Sequence, residues 1–148
     1  MNLLPKLFEL AQHVQPCGRA RVCAAVTLRG RIIGLGINSR KTHPLQQEFG
    51  EYPYLHAEIA AIVAAHREMV PEVSPGRVWH RNALQGCVLW VARAKRQHPC
   101  NCSAQSLDYH VCGKKYDAPN GWIPGLAKPC PACEAAAKAF GIMEVRHT

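Results

Sequence analysis

Two short motifs lie far apart in the chain, His56-Ala57-Glu58 and Pro129-Cys130-Pro131-Ala132-Cys133, and the fold must bring them together if they are to act jointly. Each stands at the start of a segment that reads as a helix. Residues 57–66 are apolar almost all round, which fits a helix buried between a sheet and other helices. Residues 131–140 are alanine-rich and end at Gly141, with Pro131 suited to the first helical position. A fold that serves both motifs therefore brings two helix starts to one place.

The residue types say what the meeting point is for. Imidazole nitrogen and thiolate sulfur are preferred zinc donors, so His56, Cys130 and Cys133 are expected metal ligands. The helix spacing sets Cys130 and Cys133 one turn apart, and the positive end of the helix dipole favours their thiolates. Three protein ligands leave the fourth position for a water, whose pKa zinc lowers toward neutrality. Glu58 is too close to His56 to be a comfortable ligand of the same ion, but is placed to shuttle a proton. The competing reading is a zinc knuckle that only holds the fold, with Glu58 an ordinary first-turn acid.

The rest of the chain supplies a scaffold. Leu4, Leu7, Phe8, Ala11 and Val14 recur at helical spacing, predicting an amphipathic helix over 2–14. Residues 20–28 and 31–37 are β-rich runs separated by Arg29-Gly30, short enough for a tight hairpin. Residues 39–53 read as a polar, basic loop, 87–91 as a buried strand and 142–146 as a last strand. Residues 94–128 read as a long irregular insertion. This order argues for an α/β layer fold.

Length and composition narrow the class. With 148 residues and 48% hydrophobic content the chain suits one sizeable core, and a single domain over 1–148 is expected. Met1 to Val14 does not read as a secretory segment, so the eight cysteines point to a reducing, cytoplasmic setting and to metal or packing roles rather than disulfides. No run of eighteen apolar residues occurs, and no membrane span is expected. A formal charge of +8 favours phosphorylated or polyanionic partners, although the basic residues are dispersed.

At its two motifs the chain resembles the zinc-dependent cytidine and deoxycytidylate deaminase superfamily, with its His-x-Glu and Pro-Cys-x-x-Cys signature. The likeness spans roughly 20–93 and 125–147. The segments around Gly36 to Pro44 and Leu126 to Cys133 look most like its small bacterial and phage members. The resemblance implies a three-layer α/β/α fold with a central mixed sheet of four to five strands. It implies catalytic zinc on His56, Cys130 and Cys133, and Glu58 as proton shuttle in hydrolytic loss of ammonia from a base. It also places Asn38 where relatives hold a sugar hydroxyl, and Ala57 where a backbone amide meets the base carbonyl; a turn residue ending a strand is the other reading of Asn38. Homo-oligomers occur among relatives. The long segment before Pro129 departs from the family pattern.

That segment holds His98, Cys100, Cys102, His110 and Cys112, enough donors for a second, structural zinc; reduced surface cysteines are the alternative. Arg40, Lys41 and His43 follow Asn38, and Lys128 precedes the Cys motif, so cations are expected around a substrate phosphate. The expected substrate is a free cytosine nucleotide such as dCMP. Tyr52, Tyr54 and Trp122 as stacking faces, with Lys95-Arg96 and Lys114-Lys115, keep a second reading open: cytosine or adenine deamination in single-stranded DNA or RNA. A third is a zinc-stabilised nucleic-acid-binding module without chemistry.

Overall fold

The computed structural model describes residues 1–17, 20–50, 52–71, 79–96 and 122–148. The elements run α1 (Leu4–Gln12), β1 (Arg21–Leu28), β2 (Arg31–Ile37), α2 (Pro44–Phe49), α3 (Ala57–Met69), β3 (Cys87–Arg96), β4 (Trp122–Gly125), α4 (Pro131–Ala139) and β5 (Glu144–His147). The sheet is mixed and five-stranded. β1 lies antiparallel between β2 and β3, while β4 (antiparallel) and β5 (parallel) both pair with β3. β4 covers Arg93–Arg96 and β5 covers Val88–Val91, so the two short strands share one edge of β3. Thr148 joins them: its N–H donates to Val91 O (3.1 Å), its hydroxyl to Gly125 O (2.7 Å), and its own carbonyl accepts from Ala127 N (2.8 Å).

Alternation along the strands makes two cores. Leu89 and Val91 of β3 and Ala24 and Val26 of β1 face Ile59 and Ile62 of α3 and Ala136 of α4. Trp90, Ala92, Cys23 and Ala25 face Leu7 and Ala11 of α1, completing three layers. The buried Trp90 indole is satisfied, donating to Thr27 Oγ1 at 2.9 Å.

Two features of the hairpin position the site. Arg29 and Gly30 both have positive φ (50° and 81°), the conformation of a two-residue type I′ turn. Gly34 and Gly36 of β2 lie directly under α3, and a Cβ at Gly36 would overlap Ala57 O. The absence of side chains there lets the start of α3 sit against the sheet.

The structure departs from the sequence expectation in the loops. The stretch read as a loop over 39–53 contains α2, too short for periodicity but opened by His43 as N-cap and Pro44 in its first turn. β3 runs past 91 to Arg96, and the insertion read as irregular contributes β4, whose Pro and Gly disguise a strand at the sheet edge. His98, Cys100, Cys102, His110, Cys112 and Lys114-Lys115 lie outside the described residues.

Candidate active site and metal centre

His56 and Cys130 are the N-caps of α3 and α4 and have extended backbones, so each helix starts at the site and runs away from it. Pro131 sits in the first turn of α4, as its fixed φ favours. The segment leading to His56 is held by a bridge between Ser39 and Leu55, with N–H donations of 3.0 and 2.9 Å in the two directions. Gln46, buried in α2, clamps it further: its Oε1 accepts from His56 N at 2.6 Å, and its Nε2 donates to Tyr54 O. Gln46 is not legible in the sequence, because its partners lie eight and ten residues away with no periodic relation to it.

His56 Nδ1 lies 3.3 Å from Cys133 Sγ and 3.6 Å from Cys130 Sγ, and the three donor atoms fall within 4.8 Å of one another. Nitrogen and sulfur at zinc-bond lengths from one tetrahedral ion would stand about 3.5–3.6 Å apart. The donor set and its spacing fit zinc. Burial lowers the His56 pKa, favouring the neutral imidazole a metal needs. Cys133 behaves otherwise than its place on a helix start suggests. Burial, then the Glu58 carboxylate and Cys130, push its thiol far up. The helix dipole alone does not make this thiolate; a cation against the sulfur would.

A cavity of about 210 Å³ opens beside these donors, lined among others by Asn38, Tyr54, His56, Ala57, Glu58, Arg93, Lys128 and Cys130. It is smaller than the ~300–1,000 Å³ of pockets for drug-sized ligands, a scale suited to a small ligand. Glu58 is only 7% exposed, and burial raises its carboxyl, opposed by hydrogen bonds from its own backbone N–H and from Cys133. Ala57 opens α3, so its N–H has no intrahelical acceptor. The Tyr52 ring packs on His56, centroids 4.6 Å apart.

Other expected contacts fall differently. Asn38 lines the cavity, but its side chain is committed to the fold: Oδ1 accepts from Val22 N at 2.8 Å and Nδ2 donates to Ala20 O at 3.0 Å. Arg40 and Lys41 are not among the residues lining the cavity. Neither is His43, whose Nδ1 caps α2 by accepting from Leu45 N at 3.1 Å and whose ring packs on Trp79. Trp122 lies between Arg21 and Arg96, their guanidinium carbons 4.8 and 4.5 Å from its ring centre. Lys128 does line the cavity, and so does Arg93, which belongs to neither sequence motif.

A model of the cytidine and deoxycytidylate deaminase zinc-binding region matches residues 2–147. The chain belongs to this deaminase family. Among solved structures, the guanine deaminase of Bacillus subtilis is similar at 17% identity and a TM-score of 0.51, over 100% of this chain and 64% of that one. The chain thus spans less than two thirds of that relative's length. The apo dCMP deaminase of cyanophage S-TIM5 gives 18% identity and a TM-score of 0.49, over 99% of this chain and 84% of that one. No curated protein sequence matches. The three-layer deaminase fold expected from the resemblance is therefore present, and the matched residues span the His56, Cys130 and Cys133 cluster.

Proposed function

We propose that the protein is a zinc-dependent hydrolytic deaminase of a cytosine base in a free nucleotide such as dCMP. One observation carries the reading: the buried Glu58 carboxyl shares a small cavity with His56 and Cys130, the latter two in a donor set that fits zinc. His56 Nδ1, Cys130 Sγ and Cys133 Sγ would hold the ion. Zinc in such a site acts as a Lewis acid and makes water a nucleophile near neutral pH.

This chain's own groups do the rest. Glu58 carries both protons of the attacking water in turn, the first to the ring nitrogen and the second, from the hydroxyl left on the ring carbon, to the departing amine, so that water and an amino-pyrimidine become a carbonyl and ammonia. The Ala57 N–H, without a helix partner, meets the base carbonyl. Asn38 fixes the cavity wall through β1 and offers its remaining amide hydrogen to the sugar. Arg40 and Lys41, on the loop after Asn38, add positive charge outside the cavity that steers anionic substrates toward it. A nucleotide substrate and a donor set needing reduced thiols suit a cytoplasmic setting. No helix among the described residues is long and apolar enough to cross a membrane.

The test is ammonia release from cytosine and adenine nucleosides, nucleotides and short single strands, with Glu58→Ala as control. Glu58-dependent turnover of a mononucleotide supports the reading. Turnover confined to strands, with salt-sensitive binding, would transfer the function to nucleic-acid deamination.

A further inference from the structure

Arg93 stands where an apolar residue would be expected. Leu89 and Val91, four and two positions before it on β3, point into the core beneath α3, and Arg93 continues that parity into the cavity holding Glu58. Its neighbours across the sheet are Val22 of β1 and Gly125 of β4. The glycine matters: a Cβ at Gly125 would lie 3.1–3.5 Å from Arg93 Cδ, Cγ and Nε, so the arginine side chain lies flat across a backbone position left bare. Arg93 Nε is buried and has no hydrogen-bond partner among the described residues. A buried cationic donor left unpaired is costly, and such groups in native proteins call for an explanation.

The chain turns from Gly125 through Leu126 and Ala127 to Lys128, which lines the same cavity. The cavity is thus lined by two unlike sets of groups. His56, Glu58 and Cys130 come from the two helix starts, while Arg93 and Lys128 come from β3 and the segment after β4. Two cations share the lining with one carboxyl. A ligand matching both sets carries an amine-bearing ring and an anion.

We infer that Arg93 and Lys128 form an anion subsite that binds the phosphate of the nucleotide, with Arg93 the residue that selects nucleotide over nucleoside. A planar guanidinium pairs with phosphate oxygens through two N–H groups, whereas Lys128, exposed at the rim, acts as a point charge. This moves phosphate recognition from the loop at Arg40 and Lys41 to the β3–β4 wall. The inference deepens the deaminase reading and rests on it for the identity of the base.

The experiment compares kcat/KM for dCMP and deoxycytidine in the wild-type zinc protein, Arg93→Gln, Arg93→Lys and Lys128→Gln. It adds equilibrium binding of dCMP, deoxycytidine and inorganic phosphate to Glu58→Gln with and without Arg93→Gln. The dCMP-to-deoxycytidine ratio is expected to fall about tenfold or more in Arg93→Gln, the loss of a charge-assisted hydrogen bond, and less in Arg93→Lys and Lys128→Gln. An unchanged ratio in Arg93→Gln, or equal losses on both substrates, overturns the assignment. Should Arg93→Gln fail to fold, Lys128→Gln decides by the same ratio. If the wild type turns over no cytosine compound, the deaminase reading fails and binding decides alone. Arg93-dependent binding of dCMP or phosphate then supports the subsite, and its absence refutes it.

Discussion

Burial makes the Cys133 thiolate costly, and a cation held against the sulfur reverses that cost. Cys133→Ser and Cys130→Ser are therefore expected to purify without bound zinc and with a lowered Tm, by metal analysis and thermal unfolding. Full zinc occupancy in both would remove them as ligands. Glu58 is a different case, a carboxyl beside the donors rather than among them. Glu58→Gln should keep zinc and fold while turnover drops roughly 10²–10⁴-fold, the usual worth of a positioned acid/base. Gln46→Leu leaves His56 N and Tyr54 O without their partner, and a loss of about 1–3 kcal/mol is expected in denaturant unfolding, with weaker zinc retention. At this scale the sequence marks His56, Cys130, Cys133 and Glu58 as candidates by their motif spacing, and the fold brings these side chains together. It does not show Gln46, whose role is set by a fold contact. Arg93 is readable in principle, since strand parity puts it in line with Leu89 and Val91.

The elements carry the donors by close approach. Gly36→Ala would force Ala57 O and the start of α3 away from β2, so overpacking of about 1–3 kcal/mol is expected together with reduced zinc affinity. Wild-type affinity in that variant would mean that the seat of α3 on the sheet does not set the site. The far end of α3 carries His66, whose Nε2 accepts from His80 N at 3.0 Å inside a cluster with Trp79 and Phe140. Burial, then His80, lowers the His66 pKa. The unfolded chain takes up this proton near pH 6.5 and the folded chain only at lower pH, so stability is full above that value and falls as pH drops. The slope per such group is at most about 1.4 kcal/mol per pH unit. His66→Gln, which keeps an acceptor but cannot titrate, should lose less Tm between pH 7 and pH 5 than the wild type; parallel losses would contradict this. Helices with strong start signals and the β1–β2 hairpin are legible in the sequence. α2 and β4 are not, being six and four residues long, with neither enough periodicity nor enough β-rich composition to stand out.

Across the whole molecule, the layers turn two distant motifs into one centre: α3 is seated on β2 and β1, α4 packs beside it, and β4 returns the chain from β3 to Cys130. Removing zinc should therefore destabilise the entire domain, with Tm falling on chelation and recovering on zinc addition. The most direct measurement is ammonia release from dCMP by wild-type and Glu58→Gln protein, each at measured zinc content. The expected result is one equivalent of ammonia per dCMP consumed by the wild type, and turnover down at least about a hundredfold in a variant that still holds zinc. Equal turnover by both at equal zinc, or none by a fully zinc-loaded wild type, would contradict the assignment of this centre as a Glu58-driven dCMP deaminase.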